Sequence, residues 1–266
     1  LGLWHIELKK NRIINSKDSM MGSYLGPEYS QDEVEKKLKE LDVNFEVLDD
    51  KQLSEKTALE LSNGKAVGWF QGRMEFGPRA LGCRSILGDP RSENMQKTLN
   101  LKVKFRESFR PFAPSVIRED LSTWFDLNCD SPYMLLVSDV VKEKRRMMNE
   151  KEKALFGIDK LNIKRSDIPA VTHVDYSARV QTVHKETNPK YYNLISEFKK
   201  KTGCPVIVNT SFNVRGEPIV NTPEDAFKCF MGSEIDILAI GNCLLRKEKQ
   251  NQSLNKDYKN RYQLDE

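Results

Sequence analysis

Six short apolar runs, each bounded by turn residues and set between segments of helical spacing, constrain this chain more than any other feature. They span 65–70, 112–117, 133–141, 205–208, 235–240 and 243–245. Runs of this length bounded by Gly, Pro, Asn or Asp read as buried strands rather than helices. Helical spacing fills the intervals: 31–41 with Ser30 as its cap, 50–61 stopped by Asn63-Gly64, 93–103, 189–202 ending at Gly203, and a start at Thr222-Pro223-Glu224-Asp225. Residues 44–48 and 179–184 add two further strands. Strands mixed with helices throughout predict an α/β (α+β) fold. The 266 residues suit one large domain or two small ones, with no internal repeat or low-complexity linker.

Several function classes recede at this point. No uncharged run approaches the ~18 residues that a membrane span requires, and the first residues, LGLWHI, are not a signal peptide. Five scattered cysteines without a C-x-x-C pair predict reduced cytoplasmic thiols rather than a disulfide framework or a zinc ribbon. Three histidines without metal-ligand spacing predict no metal site from this chain alone.

The charge is unevenly distributed. Net charge is only +4, yet residues 72–118 hold ten basic residues against four acidic ones, a local +6. Gly77-Pro78, Gly82, Gly88, Pro90, Pro111 and Pro114 punctuate that stretch, and stiff backbone beneath arginines is what an anion pocket needs. A solvated basic face and a nucleic-acid surface are the competing readings. The second basic run, 142–153, carries no such punctuation and reads as a solvated helix or mobile insertion. The polar tail after Arg246 is expected to fray.

Four motifs carry chemistry. Gly72 to Arg79 has the spacing of a phosphate loop but places Pro78 where the lysine belongs, so it offers Arg73 and Arg79 rather than an amide cradle. In an extended segment, Lys104, Arg106 and Arg110 at i, i+2 and i+6 point to one side and converge on one anion; surface charge over core phenylalanines is the alternative. Asn209, Ser211, Asn213 and Arg215 leave the end of an apolar strand, a usual position for ligand contacts and equally for an ordinary turn. His173 lies in THVDYSAR and is a structural residue as readily as a catalyst.

Together the runs GPRALGCRSILGDPR, KFRESFRPFAPSV, THVDYSARVQTV and VNTSFNVRGEPIVNTPEDA resemble the C-terminal part of the NodU/CmcH family of O-carbamoyltransferases, which includes the tobramycin carbamoyltransferase. The resemblance runs in order from about 24 to 246. It implies a YrdC/Sua5-like twisted mixed sheet with flanking helices, binding carbamoyl phosphate and ATP, with Mg2+, to form carbamoyl adenylate. YrdC-like domains use a Lys-x-Arg and a Ser-x-Asn pair, and Lys104-Phe105-Arg106 and Ser211-Phe212-Asn213 match them. By this resemblance Lys104, Arg110 and Ser211 are the catalytic candidates. Arg79, Arg106, Arg179, Asn209, Asn213 and Arg215 contact substrate and nucleotide. The family motif His-Val-Asp-Gly-Thr-Ala-Arg carries Gly and Thr where this chain has Tyr176 and Ser177.

The resemblance further implies a Kae1-like N-terminal half, in cis or trans, that holds an iron-type metal and performs the transfer to a hydroxyl acceptor. On this reading 1–23 is the remnant of that half, its last part at 1–12. Residues 24–247 are the carbamoyltransferase C-terminal domain and 248–266 a polar tail. A homodimer stays open. So does a different class, a non-catalytic nucleotide- or RNA-binding YrdC-like module, which the salt slope of any RNA binding would distinguish.

Overall fold

The computed structural model describes residues 2–11, 18–161, 163–251 and 253. Nine strands form one mixed sheet: β1 (Glu46–Val47), β2 (Val67–Phe70), β3 (Arg84–Gly88), β4 (Ala113–Ile117), β5 (Leu136–Asp139), β6 (Ser177–Val183), β7 (Val206–Ser211), β8 (Ile237–Ile240) and β9 (Cys243–Arg246). Their order is β1-β9-β8-β2-β3-β7-β4-β6-β5. Neighbours are antiparallel except β2–β8 and β4–β6, which are parallel. Eight α-helical segments accompany it: α1 (Gln31–Glu40), α2 (Asp50–Ser62), α3 (Met95–Thr98), α4 (Leu121–Trp124), α5 (Glu150–Lys153), α6 (Ile158–Leu161), α7 (Pro189–Thr202) and α8 (Pro223–Gly232). The α/β class expected from the alternating runs is the one observed. No helix among the described residues is long and apolar enough to cross a membrane.

The helix starts follow the residues that the sequence singled out. Ser30, Asp49 and Thr222 each accept from the N3 amide in a reciprocal capping box, and Pro223 and Pro189 occupy first turns, where a missing N–H costs nothing. Helix α7 stops at Gly203 with φ 75°, the left-handed conformation that glycine adopts without a Cβ penalty. Helices α2 and α7 pack on one another, as do α1 and α8. The central strands β2, β3, β4 and β7 are buried or nearly so along their length. That burial explains their continuous apolar runs.

Several elements differ from the sequence expectation. Strand β3 is wholly buried although it opens on Arg84, a charge that hides it from any periodicity argument. The helix expected over 93–103 is one α-turn, Met95–Thr98, widening into a π-helical turn at Leu99–Val103. The apolar run 133–141 yields only β5, an edge strand with Leu135 and Val137 exposed, because Met134 (φ 54°) breaks the extended path before it. Run 142–153 is two short turns, Lys142–Lys144 and α5, the latter capped by Asn149.

The boundaries at 23 and 248 are also crossed by contacts. The Phe76 amide donates to the Ser23 carbonyl at 2.7 Å, and Asp18 accepts from the Tyr133 hydroxyl. Gln250, in the stretch expected to fray, is buried and exchanges two hydrogen bonds with the Asn44 backbone. The rest of that stretch, 252 and 254–266, lies outside the described residues, as does 12–17. In the segment read as a remnant, Leu3, Trp4, Ile6 and Leu8 are exposed.

The loop between β2 and β3 depends on one glycine. Gly82 has φ 101°, and a Cβ there would stand 2.2 Å from Cδ1 of the fully buried Tyr191 ring on α7. Gly82→Ala should therefore cost about 2–5 kcal/mol, combining backbone strain with overpacking against a ring that has nowhere to move. Chemical denaturation of the two chains checks it.

Candidate functional site

The β2–β3 loop, residues 71–83, is organised around two buried charges. Glu75 is 6% exposed, and its Oε1 accepts the amides of Leu81 and Cys83, both at 2.7 Å, and of Arg84 at 3.2 Å. Arg84 is fully buried with its guanidinium 3.6 Å from the centre of the Phe70 ring. It donates to the carbonyls of Gln71, Gly72, Cys83 and Pro27. Burial pushes it below the usual arginine range. Arg84 is thus occupied with shaping the chain, while Arg79 at the far side of the loop is left to face outward from it.

A polar stripe on one face of the sheet receives this loop. Arg179 and Gln181 alternate on β6 and so share a face. Gln181 Oε1 accepts from Ser115 Oγ of β4 (2.6 Å) and Asn209 Nδ2 of β7 (2.9 Å). Asn209 Nδ2 also donates to the Ala80 carbonyl, Gln181 Nε2 to that of Leu81, and the Tyr24 hydroxyl reaches the Leu81 carbonyl as well. Arg79 consequently lies beside Arg179: burial first, and then the Arg79 charge, push the Arg179 guanidinium down. Arg79 Nε, Arg179 Nε and Asn209 Oδ1 are buried without a hydrogen-bond partner. An unsatisfied buried polar atom costs about 1–3 kcal/mol, and three in one neighbourhood mark a place made for a ligand.

The Lys-x-Arg and Ser-x-Asn pairs meet directly. The Lys104 ammonium donates to the Ser211 carbonyl, to Ser211 Oγ at 3.2 Å, and to the Asn213 carbonyl and Oδ1 at 2.9 and 2.7 Å. Ser211 Oγ donates to Asn213 Oδ1 at 2.7 Å, and the Arg215 amide to the Lys104 carbonyl. Burial, with a smaller contribution from Arg106, lowers the Lys104 pKa to about 7. The segment is not extended, because Phe105 has φ 49°. The three cations therefore diverge instead of pointing to one side. Arg106 Nε donates to Asn100 Oδ1 at 2.7 Å and its guanidinium lies 5.0 Å from the Phe112 ring centre, with its pKa lowered to about 10 chiefly by burial. Arg110 is half exposed and pairs with Glu107 at 2.9 Å; Arg215 approaches the same carboxylate at 3.6 Å.

His173 is held by the loop it sits in. Its Nδ1 is 3.2 Å from Ser177 Oγ, which donates to Asp175 Oδ1 at 2.7 Å. Tyr176 has φ 68°, the left-handed conformation suited to the glycine of the family motif. Its ring lies 5.2 Å from the Arg145 guanidinium. Among the described residues no group of three or more His, Cys, Asp or Glu side chains could hold a metal ion. The donor set therefore fits neither the magnesium expected with ATP nor an iron-type metal, and no step is routed through either.

A family model described as carbamoyltransferase C-terminus matches residues 58–247, which include Arg79, Lys104, Arg179 and Ser211. The chain belongs to that family. An uncharacterised protein of Synechocystis is 55% identical over 95% of this chain and 41% of its own length. The 3'-hydroxymethylcephem-O-carbamoyltransferase of Streptomyces clavuligerus is 37% identical over 70% of this chain and 32% of that protein. The chain thus spans about two fifths or less of these curated relatives. The crystal structure of full-length HypF in its phosphate- and nucleotide-bound form is similar over 76% of this chain and 22% of that one, at a TM-score of 0.46 and 17% identity. The resemblance drawn from the four motifs is therefore sound at the level of the family.

Glu75 and Arg84 were not among the sequence candidates. Their only signal was a Glu and an Arg inside a glycine-punctuated arginine run, which carries no hint of burial. Glu75→Ala should strand three amides and lower stability by about 3–9 kcal/mol before relaxation or water relieves part of it, read as a fall in the thermal midpoint. A pH effect follows from Lys104. With its folded pKa near 7 against 10.5, the folded state binds fewer protons between those values, so stability rises with pH across that window. Lys104→Met should remove that rise, measured as the difference in denaturant midpoint between pH 7 and pH 9.5.

Proposed function

We propose that this chain binds carbamoyl phosphate and ATP and joins a carbamate oxygen to the α-phosphorus, releasing pyrophosphate and leaving carbamoyl adenylate. In that step the new O–P bond forms as the bridging α–β P–O bond breaks, and its electron pair leaves on pyrophosphate. Family membership supports the reaction class. The adjoining Arg79 and Arg179, with buried and unpartnered Nε atoms, carry the reading within this chain. Two unneutralised guanidinium groups side by side repel each other, and a polyanion is the ligand that relieves them.

Roles divide by what each cation already holds. Arg79 and Arg179 take nucleotide phosphates. Arg110 competes for the same charge at little cost, since an exposed pair such as Arg110–Glu107 is worth only about 0–1 kcal/mol. Lys104, enclosed by four oxygens, fixes Ser211 and Asn213, which with Asn209 orient the carbamoyl group. Catalysis is positioning and charge neutralisation, with no covalent nucleophile. Transfer to a hydroxyl belongs, on this proposal, to a further domain of the kind its longer relatives have room for, acting in the cytoplasm.

The test is carbamoyl phosphate-dependent exchange of labelled pyrophosphate into ATP, alongside calorimetry. Arg79→Ala and Arg179→Ala should each weaken ATP binding about ten- to a hundredfold, the loss of one charge-assisted contact of about 1.5–3 kcal/mol. Lys142→Ala and Lys153→Ala, on exposed turns, should change nothing. Absence of ATP binding, or unchanged affinity in both arginine variants, would overturn the proposal.

A further inference from the structure

A cleft of about 550 Å³ lies between the loop carrying Phe109 and Pro111 and the loop from Ala170 to Asp175. We propose that it receives the purine base of the bound nucleotide, an assignment that rests on the ATP-binding reading above. The volume falls within the range of small-molecule sites, roughly 300–1,000 Å³.

The argument is a partition of charge. Phe109 is 47% exposed on one wall, while Ala170, Val171 and Pro111 supply apolar surface. An aromatic face left open beside apolar side chains suits a flat ring, which it stacks without regard to sequence or charge. The cation in the lining, Arg165, is buried and directs its guanidinium at the carbonyls of Lys160, Thr172 and His173. Asp175, at the other side, is an exposed carboxylate that repels phosphate and accepts from an amino group. His173 gives its Nδ1 to Ser177, so Nε2 is the ring atom left for a ligand. Burial holds the imidazole below its usual range and hence uncharged near neutrality. The cleft thus has places for ring faces, an N–H donor and a ring nitrogen, and none for a polyanion.

Its position completes the case. Arg110 sits between Phe109 and Pro111 in the wall itself. On the other side Ser177, which His173 touches, opens β6 two residues before Arg179 on the same face. A nucleotide with phosphates at these arginines directs its base to the cleft they adjoin.

Calorimetry with ATP, adenosine and inorganic tripolyphosphate separates base from phosphates. Phe109→Ala removes the stacking face, and Val174→Trp fills the cleft from the half-exposed Val174. Both should weaken ATP and adenosine about tenfold, the scale of one lost stacking contact. Both should leave tripolyphosphate affinity unchanged, whereas Arg79→Ala weakens tripolyphosphate and spares adenosine. Unchanged ATP affinity in both cleft variants, or an equal loss of tripolyphosphate binding, overturns the assignment while the function reading stands. If the unaltered chain binds neither ATP nor tripolyphosphate, the function reading falls and this assignment with it.

Discussion

The carboxylate of Glu75, accepting three backbone amides in a site nearly closed to water, sets the path of the loop on which the candidate site depends. Amides of successive loop residues cannot reach water there, so a single acceptor has to satisfy them together. The loop then returns over the polar stripe of β4, β6 and β7, where Asn209 and Gln181 catch the Ala80 and Leu81 carbonyls. Gly82 makes the return possible by passing under Tyr191. Arg79 is carried to Arg179 by these contacts, although 100 residues separate the two.

Cations in this protein divide into those whose charge is occupied by the fold and those whose charge is not. Arg84 and Lys104 are enclosed by carbonyl and hydroxyl oxygens, and removing either would leave those acceptors stranded. Burial at such a price is rare unless the group is fully paired. Arg110 and Arg215 share one exposed carboxylate, a weak arrangement that a phosphate displaces easily. Arg79 and Arg179 have buried nitrogens and no partner at all, which is why the ligand is placed with them rather than with the lysine that the sequence motif puts first.

Much of the architecture was legible. Ser30, Thr222-Pro223 and Gly203 marked their helix boundaries because capping is local chemistry between residues a turn apart. The apolar runs gave β2, β4, β7 and β8 because strands buried on both faces need continuous apolar side chains. Strand β3 was not legible, since its first residue is a buried arginine whose partners lie 12, 13 and 57 residues away. The same holds for the divergence of Lys104, Arg106 and Arg110: it turns on the backbone of Phe105, a residue with no glycine-like signal to reveal it.

By itself the sequence determined the α/β class, the places of most helices, the family and the residue types that an anion site requires. All of these rest on local periodicity or on motifs contiguous in the chain. The tertiary structure decided which of those residues act together. Register between β4, β6 and β7 put Ser115, Gln181 and Asn209 on one face, and the β2–β3 loop brought Arg79 to Arg179 across it. Such pairings are long-range hydrogen-bond and charge arrangements, and nothing in the spacing of the residues along the chain encodes the distance between them in space.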